Sequence, residues 1–307
     1  MKKNILVTGS HRSGTTWVGR TITQHRKARY VQEPFNVNHS NRYMMLQLEN
    51  WYSDYDYINL QQQSDIEASF SRLFDMTPYS HAVANLNAQQ ISWRTFPRGV
   101  RDILSETIFS PSILVKDPLA LFSAGWLYKT YDLYVVCMIR NPMAFVGSLK
   151  KAGWEFDFNN FLAQENLIEE RLLDYKNDIK LCIDSDDFIF KASILWNILH
   201  YIIIGYKKSY PDWMFVKYEE IALDPISEYK KIFDYVQLDF HDGIIQYIDA
   251  FTTSQSTKNI QTNSYVPRDS IASLSSYKSR LSPKEIEDIK SYTAKIGSVF
   301  YPELYLK

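Results

Sequence analysis

Thr8-Gly9-Ser10-His11-Arg12-Ser13-Gly14-Thr15-Thr16 decides how this chain is read. A short apolar run, Asn4 to Thr8, precedes it. Trp17-Val18-Gly19-Arg20-Thr21-Ile22 follows with helical spacing. The hydrophobic period changes from strand-like to helix-like across the two glycines, so the segment is a strand, a loop and the first turn of a helix. Glycines let a backbone approach a ligand closely. A helix N-terminus offers unpaired N–H groups and a favourable dipole to an anion. The loop is therefore a candidate phosphate site, with Ser10, His11, Arg12, Ser13, Gly14, Thr15 and Thr16 as its candidate ligands.

The pattern is G-x4-G-T-T where a Walker A loop has G-x4-G-K-[S/T]. Thr15 stands where that motif places its lysine, which disfavours an ordinary kinase or NTPase. Arg12 can supply a cation from within the loop.

Outward from this loop, strands and helices alternate. Arg29–Gln32 reads as a second strand, and Glu33 before Pro34 should be extended at its end. Ile113–Lys116, Leu133–Ile139 and Trp213–Lys217 read as three more strands. The continuous apolar run of Leu133–Ile139 is typical of a buried parallel strand. Asn141 and Pro142 are a helix cap and first turn. Helices are expected at 41–50, 64–74, 118–130, 159–182, 186–209, 227–236 and 283–296, and a loop at 252–280. Alternating strands and helices give an α/β fold with a central parallel sheet. The expected architecture is P-loop-like and three-layered, with helices on both faces and a helical cap. Residues 1–307 read as one domain, with 37–110 and 152–210 as the cap or insertions that shape an acceptor side.

Composition narrows the function classes. Lys plus Arg number 34 and Asp plus Glu 35, a net charge of -1, so nothing drives the whole chain toward nucleic acid or an anionic membrane. The two cysteines, Cys137 and Cys182, form no CxxC pattern, which disfavours a disulfide framework and a Cys-rich zinc site. The apolar stretch Phe188–Tyr206 carries Lys191, Asn197 and His200 and reads as a buried helix, so no stable membrane insertion is expected. The start of the chain shows no signal-peptide run, and the expected location is cytoplasmic.

The segment Thr8–Val18 resembles the 5′-phosphosulfate loop of sulfotransferases that use 3′-phosphoadenosine 5′-phosphosulfate (PAPS). Its RSGTT form is closest to the tyrosylprotein and the bacterial or Golgi-type carbohydrate members. The resemblance implies that Arg140, ending the strongest strand, and Ser148, on the next helix, hold the 3′-phosphate. An arginine is a planar, permanently charged phosphate donor, which agrees. Lys116 in Lys116-Asp117-Pro118 is implied to be catalytic, with Arg12 assisting, and Glu33 in Gln32-Glu33-Pro34-Phe35-Asn36 is implied to be the base. Asp117 and His11 are alternative bases, although Asp117 better suits a structural hydrogen bond. Val216-Lys217-Tyr218-Glu219-Glu220 resembles a strand-end segment whose tyrosine, Tyr218, contacts nucleotide. Arg280 and Arg268 lie in a stretch resembling a variable loop that closes over it.

The resemblance implies transfer of a sulfuryl group from PAPS to an acceptor hydroxyl, without a metal. The acceptor is expected to be a carbohydrate or polysaccharide; a steroid, phenol or lipid alcohol is the alternative. A P-loop kinase or NTPase, or a non-catalytic nucleotide-binding module, is the reading from other classes.

Overall fold

The structure is a computed structural model, and it describes residues 3–38, 48–75, 111–252 and 270–306. Five strands form one sheet: β1 (Ile5–Gly9), β2 (Ala28–Gln32), β3 (Ser112–Lys116), β4 (Tyr134–Ile139) and β5 (Met214–Lys217). All pairings are parallel, and the order is β2-β3-β1-β4-β5. The five expected strands are all present, each within a residue of its expected start or end.

Alternate residues of the same strand face opposite layers. Leu6, Val115, Val135 and Cys137 enter the larger apolar core. Ile5, Val7, Leu114, Val136 and Met138 enter a second core on the other face. The second core is covered by the first helix, Thr15–Ile22, and by Tyr218–Leu223, Pro225–Tyr235 and Asp242–Thr252. The larger core takes Leu60–Asp75, Ala124–Tyr131, Pro142–Ala152, Phe188–Ser209 and Pro283–Phe300. The result is the expected three-layer α/β architecture with helices on both faces.

Phe188–Ser209 is long and apolar enough to cross a membrane, but most of it is packed inside the protein. Asp187 caps it by accepting from the Ile189 and Phe190 N–H groups. The stretch 152–210 thus contributes one of the principal core helices.

Five local expectations differ from the structure. The helix expected at 118–130 is a 3₁₀ turn at Leu119–Leu121 followed by a helix at Ala124–Tyr131. The single helix expected at 159–182 is divided into Asn159–Leu162, Glu165–Arg171 and Lys176–Asp184. Buried Gln164 sits at the first break, where its amide donates to the Asn160 and Trp51 carbonyls. Tertiary contacts there override propensity. The described part of the loop expected at 252–280 is helical at Ser270–Ser275 and tightens to a 3₁₀ turn at Ser276–Ser279. Two helices, Tyr218–Leu223 and Asp242–Thr252, were not expected. Glu33 is not extended: its φ is +46, a left-handed backbone just past the end of β2. Most of the helix expected at 41–50 lies outside the described residues, as does Arg268.

Strand order also fixes where a ligand can lie. The chain leaving β1 travels toward β2, whereas the chain leaving β4 travels to β5 on the other side. β1 and β4 are neighbours, so the topological switch point, where open α/β sheets bind ligands, lies beyond their carboxyl ends. The Gly9–Thr16 loop follows β1 and Arg140 follows β4.

Candidate active site

The two loop glycines are required for different reasons. Gly9 has φ +122, and a Cβ there would lie 2.1 Å from the Met138 carbonyl oxygen of β4. Gly14 has φ +89, and its Cβ would meet the Tyr218 ring at 2.6 Å. Between them Ser13 donates its N–H and its hydroxyl to the Ser10 carbonyl, and Arg12 is left-handed at φ +62. Ser10, His11, Ser13 and Thr15 are buried, Thr16 is half-buried and Arg12 is exposed. The Ser10 hydroxyl is buried and has no hydrogen-bond partner among the described residues.

The second anchor is built around Arg140. Its guanidinium carbon lies 3.6 Å from the centre of the Tyr218 ring, and its Nε is 3.5 Å from Glu219 Oε1. The Trp196 indole donates to the Arg140 carbonyl at 2.8 Å, and the Arg140 N–H points at His200 Nε2 at 3.5 Å. Burial pushes His200 down to about 3, so it stays neutral and serves as that acceptor. Glu219 also accepts from the Asn141 N–H and the Tyr301 hydroxyl. Asn141 caps the helix Pro142–Ala152 by accepting from the Met143 and Ala144 N–H groups. Ser148 lies two turns along this helix. Leu281, next in sequence to Arg280, packs against its neighbour Gly147.

The two anchors converge. Arg12 Nε donates to Ser148 Oγ at 3.0 Å. The Tyr218 ring lies between Gly14 of the loop and the guanidinium of Arg140, and its hydroxyl bonds to Ser273.

A third group sits across β1, at the ends of β2 and β3. Gln32 and Lys116 are in register, and the Glu33 N–H donates to the Lys116 carbonyl at 2.8 Å. Lys116 is buried, and its ammonium donates to Glu33 Oε1. Glu33 Oε2 accepts from Asn36 Nδ2 at 2.9 Å. The lysine stem passes beneath Gly19 of the first helix, where a Cβ would stand 3.3 Å from it.

Asp117 clips these two loops together. One carboxylate oxygen accepts the Phe35 N–H at 2.6 Å; the other accepts Leu119 and Ala120 at 2.9 and 3.3 Å. Asp117 is completely buried, which pushes its carboxyl up to about 7; the Phe35 N–H and Lys116 oppose the rise and Glu33 adds to it. Its carboxyl is thus easier to protonate in the folded chain than in the unfolded one, near 4. The associated stability is present at low pH and is lost as pH climbs through about 7. Asp117→Asn puts an amide NH₂ against backbone donors and should cost about 2 kcal/mol. In urea unfolding, the gap between wild type and this variant is expected to narrow from pH 5 to pH 8. A gap that widens with pH would show that the ionised carboxylate carries the clip.

His11 is enclosed. Its Nδ1 bonds to the Tyr52 hydroxyl, and its ring meets Phe145 and Trp154 edge-on at 4.9 and 4.7 Å. Burial, then the charge of Arg12, push it down to about 3. Trp154 in turn pairs with Trp51 at 5.4 Å, and both indoles are half-buried.

A sequence profile described as the Sulfotransferase family matches residues 4–194. The chain belongs to the sulfotransferase family. The matched span holds the loop, Glu33, Lys116, Arg140 and Ser148; Tyr218 and Arg280 lie beyond it. No curated protein matches this sulfotransferase in sequence. Among solved structures, it is similar to the sulfotransferase domain from the curacin biosynthetic pathway, at 15% identity over 97% of each chain and a TM-score of 0.49. It is also similar to the sulfotransferase domain of the Synechococcus PCC 7002 olefin synthase, at 15% identity over 98% of this chain and 96% of the other, with a TM-score of 0.48. A mouse sulfotransferase solved in complex with PAP is 11% identical over 98% of this chain and 85% of that one, with a TM-score of 0.48.

Sequence reasoning overlooked several residues that shape the site of this sulfotransferase. Glu219 was visible only as part of a strand-end segment, yet it holds Arg140 and the Asn141 N–H. Asn36 on Glu33, and Tyr52 on His11, had no signal beyond a polar or aromatic residue in a mixed stretch.

Proposed function

We propose that this sulfotransferase takes PAPS as donor and transfers its sulfuryl group to an acceptor hydroxyl. The observation that carries the reading is the contact between Arg12 of the loop and Ser148 of the helix after Arg140. It brings the two expected phosphate grips to one place at the carboxyl end of the sheet. The donor set suits a doubly phosphorylated nucleotide: two guanidiniums, backbone N–H groups at a helix start, and serine and threonine hydroxyls.

PAPS, when bound, supplies an activated sulfuryl group on its 5′-phosphate. The loop from Ser10 to Thr16 holds that end. Arg140 and Ser148 hold the 3′-phosphate, Tyr218 supports Arg140 from beneath, and Arg280 closes from the segment beside Gly147. Glu33 takes the proton of the acceptor hydroxyl. Lys116 places positive charge where negative charge develops on the leaving oxygen. Asn36 and Lys116, each on one oxygen of Glu33, orient its carboxylate.

A carbohydrate hydroxyl is the acceptor we favour. Trp154 abuts His11 of the loop and pairs with Trp51, and such indole faces suit the apolar faces of sugars. The cytoplasm is the proposed location.

Thermal unfolding with added nucleotide tests the donor. Adenosine 3′,5′-bisphosphate should raise stability by about 2.7 kcal/mol at a hundredfold excess over its dissociation constant. ATP with magnesium should raise it far less. The reverse ranking would favour a kinase or NTPase and end this reading.

A further inference from the structure

The side chain of His11 leaves the loop and enters the larger core. Its ring lies edge-on to Phe145 and Trp154. Nδ1 bonds to the Tyr52 hydroxyl, and Nε2 is buried with no partner among the described residues. Among those residues Tyr52 is thus the polar anchor of the ring. Tyr52 is completely buried, with the rings of Phe122, Phe156 and Phe161 at 5.6, 5.7 and 6.0 Å. Its backbone is left-handed, φ +57, a conformation that a bulky residue keeps only where its surroundings impose it. Trp51, one residue earlier, donates its N–H to Asn160 Oδ1 at 2.9 Å and pairs with Trp154. Gln164 donates to the Trp51 carbonyl at 3.5 Å. The chain at Trp51–Tyr52 and the stretch 154–164 therefore form one wall, and His11 reaches it from the loop at two points, Tyr52 and Trp154.

Resting on the donor and acceptor readings above, we infer that Tyr52, acting through His11, is a positioning residue for the acceptor: it sets the Trp51–Trp154 wall according to whether the donor loop is filled. A donor in the loop restricts the backbone on either side of His11. The imidazole carries that restriction to the Tyr52 hydroxyl and the Trp154 indole. The wall is then ordered before the acceptor arrives, and less freedom is lost when the acceptor binds. The acceptor is held more tightly by the loaded enzyme than by the empty one. By linkage, the donor is held more tightly when the acceptor is present.

Hydrogen exchange read by mass spectrometry tests this on the full chain, with and without saturating adenosine 3′,5′-bisphosphate, in wild type and Tyr52→Phe. Phenylalanine keeps the ring among its aromatic neighbours and removes only the hydroxyl. Losing one neutral hydrogen bond away from the ligand should leave bisphosphate affinity, read by calorimetry, within about threefold. In wild type the bisphosphate should slow exchange about tenfold in peptides spanning 48–57 and 154–164, as well as in the loop. In Tyr52→Phe the loop should still be protected, but the ligand-induced slowing in the two wall peptides should fall below about threefold. A tyrosine with a merely structural role would alter exchange in the free protein and leave this ligand-dependent difference in place. Wall protection that persists in Tyr52→Phe would overturn the inference. So would a wild-type wall that the bisphosphate leaves unprotected, a comparison that needs no variant and stands even if Tyr52→Phe fails to fold. A wild type that does not bind the bisphosphate would bring down the donor reading itself, and this inference with it.

Discussion

Replacing Lys116 by methionine is expected to lower turnover about 10²- to 10³-fold, with bisphosphate affinity nearly unchanged. Methionine keeps the unbranched stem that packs beneath Gly19 and removes only the charge. Lys116 is 1% exposed, so its ammonium is screened little by solvent and acts at close range on what lies beside Glu33. Steady-state rates with a labelled sulfate donor, alongside bisphosphate titration, separate the two effects. Full activity in the variant would remove the lysine from the chemistry. A loss confined to affinity would make it a donor-binding group instead.

Gly9→Ala should be the most damaging alanine substitution among the described glycines, because the atoms it meets are backbone. The new Cβ would stand 2.1 Å from the Met138 carbonyl oxygen and 2.6 Å from its nitrogen, both backbone atoms of β4. Neither can swing aside as a side chain would. The backbone at φ +122 adds strain for any L-residue. Relief requires parting β1 from β4 at the middle of the sheet, and the cost should be about 4 kcal/mol. A thermal melt is expected to fall by some 10 °C, and the stabilisation by bisphosphate should vanish. Gly153→Ala is the comparison. It too has a positive φ, +57, but nothing lies within 4 Å of its Cβ, so about 1 kcal/mol is expected. If the two variants melt alike, close approach of β4 is not what Gly9 serves.

The sheet and the loop were legible because their signals are local. Apolar β-branched runs ending in Gly9, Lys116 and Arg140, and the Asn141-Pro142 cap, depend on neighbours in sequence. The arrangement of the site depends on partners far apart in the chain. Tyr218 was read as a strand-end residue that meets nucleotide. Its ring is in fact set between Gly14 and Arg140, which lie 204 and 78 positions before it. Glu33 was expected to be extended on the strength of Pro34, but its left-handed backbone accompanies the bond from its N–H to β3 and the Asp117 clip. The helix expected at 159–182 broke where Gln164 found carbonyl partners. In each case a distant contact outweighed a local preference.

The strand order has a consequence for how such an enzyme can change. In the proposed reading, donor recognition would belong to β1, β4 and β5, and proton handling to β2 and β3, strands that the order β2-β3-β1-β4-β5 keeps on separate flanks. The two provinces meet along a single ladder, β1 with β3. Remodelling one flank for a new acceptor therefore need not disturb the other, so the molecule is already partitioned for grafting.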